Sequence, residues 1–204
     1  MGKKIVITGG LGYIGTELCK IYSGVSWNNQ IIVIDNRFIS ERVNQLRNWN
    51  MDFVHGDILN KELISKHCKD ADVVHHLAGI TDVPRTKSES SEEKDKQIKN
   101  VAQEGTQNIL DVISNNCKIV FPSTHVVYEG IESIQNEIPE NAEVKPILSY
   151  SSSKAINEKQ LKNSGKKYVI LRLGSVYGYS TDTSRVDIMP NLFSKIASQD
   201  GTIK

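Results

Sequence analysis

Tyr150 and Lys154 stand four positions apart in Tyr150-Ser151-Ser152-Ser153-Lys154, the spacing that puts two side chains on one face of a helix. An ammonium in that place favours the phenolate and lowers the tyrosine below its ordinary value of about 10. A phenol moved in that direction can exchange a proton with a substrate hydroxyl near neutral pH. A Tyr/Lys pair on a surface helix would look the same in isolation. The reading as a base gains its weight from a second motif, Thr8-Gly9-Gly10-Leu11-Gly12-Tyr13-Ile14-Gly15, near the start of the chain.

Gly9, Gly12 and Gly15 fall between a predicted strand and a predicted helix. Gly9 permits a tight turn, Gly12 lets backbone approach a pyrophosphate, and Gly15 lets the helix pack closely on the strand. The unpaired N–H groups of the helix start then face the phosphates. The spacing is three and three, not the two and three of the general dinucleotide fingerprint, and a plain glycine turn is the alternative. Asp35 ends the second predicted strand, 20 residues after Gly15. A carboxylate there accepts from both ribose hydroxyls and repels a 2′-phosphate, which favours NAD over NADP. Arg37 pulls the other way, because an arginine nearby can accommodate that phosphate; the carboxylate is given more weight. Asp57, in His55-Gly56-Asp57-Ile58, can bind an adenine edge with Ile58 against the ring face. The alternative is that Asp57 caps a helix over Leu59 to Lys66.

These residues need a sheet to hold them, and the apolar pattern supplies one. Short Ile- and Val-rich runs predict strands at Lys3 to Thr8, Gln30 to Ile34, Met51 to His55, Asp72 to His76, Lys118 to Phe121 and Lys167 to Leu171. Helix-length amphipathic segments separate them, including Tyr13 to Ser23, Lys94 to Ser114 and Ser149 to Ser164. Strands alternating with helices predict an α/β fold, a doubly wound parallel sheet covered on both faces. His75 and His76 are adjacent in a strand and point to opposite faces, so they cannot chelate one ion together. They are read as packing histidines, and no metal is expected.

Composition excludes several classes of partner. The chain has 204 residues, 25 Lys plus Arg and 24 Asp plus Glu, for a net charge of +1. Such a balance gives no surface for nucleic acid or for acidic lipid. The apolar runs are strand-sized, far below a membrane span. Met1 to Lys4 lead directly into the first predicted strand, which leaves no room for a leader peptide. Cys19, Cys68 and Cys117 are odd in number and lack metal-ligand spacing, as expected of reduced thiols in a cytoplasmic protein.

Taken together, the motifs resemble the extended short-chain dehydrogenase/reductases, in the branch of NAD-dependent nucleotide-sugar epimerases and dehydratases. The resemblance rests on the glycine motif, Asp35, Gly56-Asp57, His76-Leu77-Ala78-Gly79, Asn100 with Gly105-Thr106-Gln107-Asn108, Ser123-Thr124 with Val127-Tyr128, Tyr150 to Lys154, and Leu171-Arg172 with Val176-Tyr177-Gly178. It implies a Rossmann-type sheet with NAD at the strand ends. The cofactor would be held by Gly9, Gly12, Tyr13, Ile14, Asp35, Asn36, Arg37, Asp57 and Ile58. Leu77, Ala78 and Gly79 would line the nicotinamide-ribose side together with Tyr150 and Lys154. Thr124 is chosen over Ser123 as the catalytic hydroxyl, because the family's hydroxyl stands four residues before the tyrosine matching Tyr128.

The resemblance also narrows the reaction. Family dehydratases carry Asp-Glu directly after the catalytic hydroxyl, and decarboxylases carry a glutamate two positions on. Here those places hold His125 and Val126. An epimerase, which only removes a hydride and returns it, fits best. A carbonyl reductase or dehydrogenase and a non-catalytic dinucleotide-binding module are the alternatives. Ser175 occupies a substrate-facing position where family epimerases commonly have asparagine. Family members continue well past residue 204, so the resemblance implies a cofactor domain over 1–174 and, from 175 to 204, the beginning of a substrate-binding part that is largely missing. In related proteins the helices matching Lys94 to Ser114 and Ser149 to Ser164 pair across a two-fold axis, which makes a homodimer the expected assembly; a monomer whose helices have one buried face and one wet face is the alternative.

Overall fold

The structure is a computed structural model that describes residues 2–25, 28–81, 89–133, 136–181, 185–186, 188–199 and 201–202. Its elements run β1 (Lys4–Thr8), α1 (Tyr13–Val25), β2 (Gln30–Asp35), α2 (Ser40–Asn48), β3 (Asp52–His55), α3 (Lys61–Cys68), β4 (Val73–His76), α4 (Glu92–Val112) and β5 (Lys118–Thr124). A 3-10 turn (His125–Tyr128), α5 (Ser149–Asn163), β6 (Lys167–Leu173) and α6 (Met189–Ser198) complete it. The six strands form one sheet in the order β3-β2-β1-β4-β5-β6, and every pairing is parallel. This is the expected Rossmann-type sheet. The order reverses at β1, where Thr8 lies opposite both Ile34 and His76, and a crevice opens at the strand ends beside such a reversal.

The alternation of side chains along each strand divides the core in two. Val6, Ile32, Ile34, Val74 and Ile119 face one layer with Ile64, Ile109, Leu110 and Leu161. Ile5, Ile7, Ile31 and Val33 face the other with Leu11, Cys19, Val43 and Leu46. An apolar run such as Ile31 to Ile34 is therefore shared between two cores, as a strand buried on both faces requires.

Several boundaries differ from the sequence expectation. β5 and β6 run on to Thr124 and Leu173, with Pro122, Ser123 and Thr124 opposite Leu171, Arg172 and Leu173. The extension carries Thr124 to the edge of the sheet. Helix α2 is not anticipated by periodicity, since it buries only Val43 and Leu46. Helix α3 begins at Lys61, and its cap is Asn60, whose side chain accepts from the Leu63 N–H at 3.1 Å. Asp57 is not the cap of this helix. Ser91 caps α4, with Glu92, Glu93 and Asp95 in its first turn, where carboxylates meet the positive end of the helix dipole.

Among the described residues, β6 has a neighbour on one side only, and Tyr168, Val169 and Leu171 are exposed along it. Helix α6 buries no residue and leaves Met189, Leu192 and Phe193 open. Among the described residues, no helix is long and apolar enough to cross a membrane.

Candidate active site at the carboxyl edge of the sheet

Every residue singled out in the sequence stands at the carboxyl end of a strand or on the segment that follows one. Gly9 takes a φ of +71°, the left-handed conformation that glycine adopts at no steric cost. A Cβ on Gly9 would lie 2.7 Å from the Ala78 nitrogen, so the loop also touches the end of β4. At Gly15 a Cβ would lie 2.4 Å from the Gly9 oxygen, which packs the helix start onto the loop. Gly12 is different. A Cβ there meets the Gly9 oxygen at 3.1 Å and Arg37 Nη2 at 3.7 Å, with nothing else among the described residues within 4 Å. The backbone at Gly12 is the part of the loop left open to a phosphate group, beside the start of α1 that carries Tyr13 and the exposed Ile14.

Asp35 is buried at the end of β2. Its Oδ2 accepts from the Leu11 N–H at 2.9 Å, and its Oδ1 from the Arg37 N–H at 2.9 Å. The carboxylate thus shapes the glycine loop. Arg37 folds back on it, with Nε 3.4 Å from Oδ1. Asn36 donates to Asp57 Oδ2 at 2.9 Å, while Asp57 Oδ1 accepts from the Leu59 N–H at 2.9 Å. Asn36 and Asp57 therefore brace one another across the ends of β2 and β3, with Ile58 packed inside the core.

His76 explains how the end of β4 is held. Its Nδ1 lies 3.0 Å from Thr8 Oγ1, and its Nε2 lies 3.0 Å from Thr106 Oγ1. The Ala78 N–H donates to the same Thr8 oxygen at 3.3 Å. Burial pushes the His76 imidazole down to about 3, so it stays neutral and acts as a tie. Leu77, Ala78 and Gly79 leave the sheet from this anchor, and among the described residues a Cβ on Gly79 would meet nothing within 4 Å. His75 points to the other face and meets the Tyr22 hydroxyl at 2.7 Å. Both are packing histidines. Among the described residues, no group of three or more His, Cys, Asp or Glu could hold a metal.

Thr124 ends β5, and its hydroxyl accepts from the Val126 N–H at 3.3 Å. Ser123 points away, donating to buried Glu158 at 2.6 Å, whereas Thr124 caps the 3-10 turn at the strand end. Lys154 Nζ donates to the Pro122 carbonyl at 2.7 Å and stands 4.4 Å from the Phe121 ring centroid and 5.9 Å from that of Tyr150. The Tyr150 phenol is not lowered, contrary to what the four-residue spacing to Lys154 predicts. Tyr150 is raised above its ordinary 10 by burial, with Arg185 pulling in the opposite direction. Lys154 is itself pushed down to about 8 by burial. The charge that opposes burial at the phenol is Arg185, not Lys154, whose head points at the Pro122 carbonyl.

Sequence reasoning missed the network behind this pair. The Glu158 carboxylate receives Arg172 Nε at 3.0 Å on Oε1 and Nη2 at 2.7 Å on Oε2. Arg172 also donates to the Tyr128 hydroxyl and to the Glu140 carbonyl. Glu158 lies one helical turn after Lys154, and that i, i+4 spacing was the available signal. The exposed His125 bonds the Leu173 carbonyl through Nδ1 at 3.1 Å. Ser175 is exposed beyond β6. The segment after it reaches back to the glycine loop: the Tyr13 hydroxyl donates to the Gly178 carbonyl, and Asn191 donates to that hydroxyl at 3.3 Å.

A parallel sheet with a glycine loop at its reversal point, an acidic residue ending β2 and a Tyr/Lys pair beside β5 defines a dinucleotide-dependent short-chain dehydrogenase/reductase. The chain belongs to the NAD dependent epimerase/dehydratase family, whose model matches residues 5–204. It is 30% identical over 197 residues to dTDP-D-glucose 4,6-dehydratase of Dictyostelium discoideum, covering 86% of this chain and 44% of that protein. It is also 30% identical over 181 residues to UDP-glucose 4-epimerase of Azospirillum brasilense, covering 86% and 49% respectively. Among solved structures, UDP-glucuronic acid 4-epimerase of Bacillus cereus in complex with UDP-glucuronic acid and NAD superposes with a TM-score of 0.75 at 26% identity, over 97% of this chain and 64% of that one. The chain spans about half the length of these two curated relatives.

Proposed function

We propose that the chain is the cofactor-binding and catalytic part of an NAD-dependent nucleotide-sugar epimerase. The observation that carries this reading is the gathering of the open glycine loop, Asp35, Thr124, Tyr150 and Lys154 along one edge of the sheet, with His125 and Val126 after the catalytic hydroxyl. Gly12 and the start of α1 would hold the pyrophosphate, Asp35 the adenosine ribose, and Asp57 the adenine edge, while Ile58, buried in the core, stands behind it and not against the ring face. Leu77 to Gly79 and Lys154 would line the nicotinamide ribose. NAD, when bound, supplies a hydride acceptor that can also return the hydride.

The chain's own residues do the rest. Tyr150 would remove the proton from the substrate hydroxyl and give it back, with the positive charge of bound oxidised NAD favouring the phenolate that burial alone disfavours, and Thr124 would hydrogen-bond the same oxygen as charge develops on it. Val126 cannot carry a proton, and the His125 ring is engaged with the Leu173 carbonyl. This supports epimerisation over loss of water, although a dehydratase stands among the relatives. Residues 1–174 form the cofactor domain, and 175–204 begin the part that meets substrate, with Ser175 facing it. The three cysteines are buried and unpaired, which agrees with a reducing compartment, the cytoplasm. The proposed assembly is a homodimer through the outer faces of α4 and α5.

Incubation with NAD and UDP-, GDP- or dTDP-sugars tests the reaction. Inverted sugar with no net NADH is the expected result. Net NADH would make the protein a dehydrogenase, a keto-deoxy product would make it a dehydratase, and binding without turnover would leave a dinucleotide-binding module.

A further inference from the structure

One carboxylate joins the two segments that carry Thr124 and Tyr150. Glu129 directly follows the 3-10 turn that Thr124 opens. Its Oε1 accepts from the Ile147 N–H at 2.6 Å, from the Leu148 N–H at 2.7 Å and from the Ser151 hydroxyl. Leu148 occupies the cap position of α5 and offers no side-chain acceptor, so a carboxylate from another segment takes over the helix entrance. Charge-assisted bonds of this kind are the stronger class, and a negative charge there also meets the positive end of the helix dipole.

The backbone on either side is fastened as well. Lys145 N–H donates to Val127 O at 2.8 Å, and Gly130 N–H donates to Lys145 O at 2.8 Å. A Cβ on Gly130 would lie 2.6 Å from that Lys145 oxygen, so the two segments touch without an intervening side chain. Ser151 is fully buried beside Tyr150 in the chain. Tyr150 therefore sits between two points, Leu148 and Ser151, that are both tied to Glu129.

We infer that Glu129 is a positioning residue that sets the separation between the Thr124 hydroxyl and the Tyr150 phenol. The inference rests on the reading of those two groups as catalytic. The charge does not enter the chemistry; its work is to hold the first turn of α5 against the end of β5.

The test compares Glu129→Ala, Glu129→Gln and Tyr150→Phe in the intact chain. Glu129→Ala should lower kcat about 10- to 100-fold, the scale of a displacement near 1 Å, with KM and NAD affinity nearly unchanged. Glu129→Gln keeps an acceptor oxygen and should recover most of that loss. A readout independent of turnover is the phenol titration of Tyr150, followed as the ultraviolet difference between each protein and its Tyr150→Phe counterpart. In Glu129→Ala the freed turn should let the phenol move toward its ordinary value of about 10. Should Glu129→Ala fail to fold, Ser151→Ala, which removes one of the three bonds, should show the same changes in smaller degree. Unchanged kcat and unchanged titration in folded Glu129 and Ser151 variants would overturn the inference. Full turnover by Tyr150→Phe would instead overturn the catalytic reading, whatever Glu129 does.

Discussion

At the scale of single residues, the site is governed by burial. Lys154 carries its ammonium into a pocket made by Phe121, Pro122 and Tyr150, and desolvation lowers it to about 8. An unfolded chain holds that proton up to about 10.4. Between these values the unfolded state binds more protons than the folded one, so stability rises with pH across this window. Below about 8 both states are protonated and the slope is gone. Lys154→Met should remove this alkaline gain, which denaturant melts at pH 7, 8, 9 and 10 would read directly. Tyr150→Phe should leave the NAD dissociation constant nearly intact and lower turnover by about 10²- to 10⁴-fold, the usual worth of a positioned base. In the proposed site Asp35 would hold the other end of the cofactor. Calorimetry should give tighter binding of NAD than of NADP; equal affinities would mean that Arg37, folded against Asp35, sets the preference.

At the scale of elements, Glu158 is the joint between α5, β5 and β6. It is buried, receives two guanidinium nitrogens from Arg172 and one hydroxyl from Ser123, and holds the helix that carries Tyr150 and Lys154. Removing one partner from a buried ion pair strands the other, at a cost of about 3–5 kcal/mol. Glu158→Ala should lose stability on that scale in denaturant melts. Burial raises the Glu158 carboxyl, but the bonds and charges of Arg172 and Ser123 together carry it below its ordinary range. A depressed carboxylate contributes stability above its unfolded pKa and loses it as pH falls through the folded one. Acid unfolding of Glu158→Gln should therefore be shallower than that of the unaltered protein. The glycine loop is a second joint, where Gly9→Ala combines a positive φ with a Cβ 2.7 Å from Ala78. That variant should weaken both folding and NAD binding.

At the scale of the whole molecule, the apolar residues of α4 and α5 are largely spent inside. Ile98, Ile109, Leu110 and Ile113, with Ala155 and Leu161, are all buried within the chain itself. The contact between the two helices is polar, with Asn157 donating to Ala102 O at 2.9 Å and Gln160 to Gln103 O at 3.1 Å. Outside it lies a shallow groove lined by Gln107, Leu110, Ile156, Lys159 and Gln160. A dimer through this face would be mixed in character, and a second apolar stripe is what distinguishes a strong helical interface from a wet one. Light scattering at micromolar concentration should give a dimer mass that falls on dilution; a monomer mass throughout would remove the two-fold assembly.

The sequence by itself determined the sheet and the line of the site. Short Ile- and Val-rich runs placed all six strands, and parallel strands joined by helices put Gly9, Asp35, Asp57, Leu77 and Thr124 at one edge, because every such strand ends on the same side. Helix α2 escaped that reading, since two apolar side chains make too faint a period. The tertiary structure decided what spacing cannot carry. Tyr150 and Lys154 do share a helix four residues apart, yet the lysine head turns to Pro122 O and burial raises the phenol, since desolvation depends on what other segments enclose. Glu129 reaches Ile147 and Ser151 across gaps of 18 and 22 residues, and Ser123 finds Glu158 across 35. Bonds of that length in sequence leave no period or local motif, and they exist only once the sheet has brought its neighbours together.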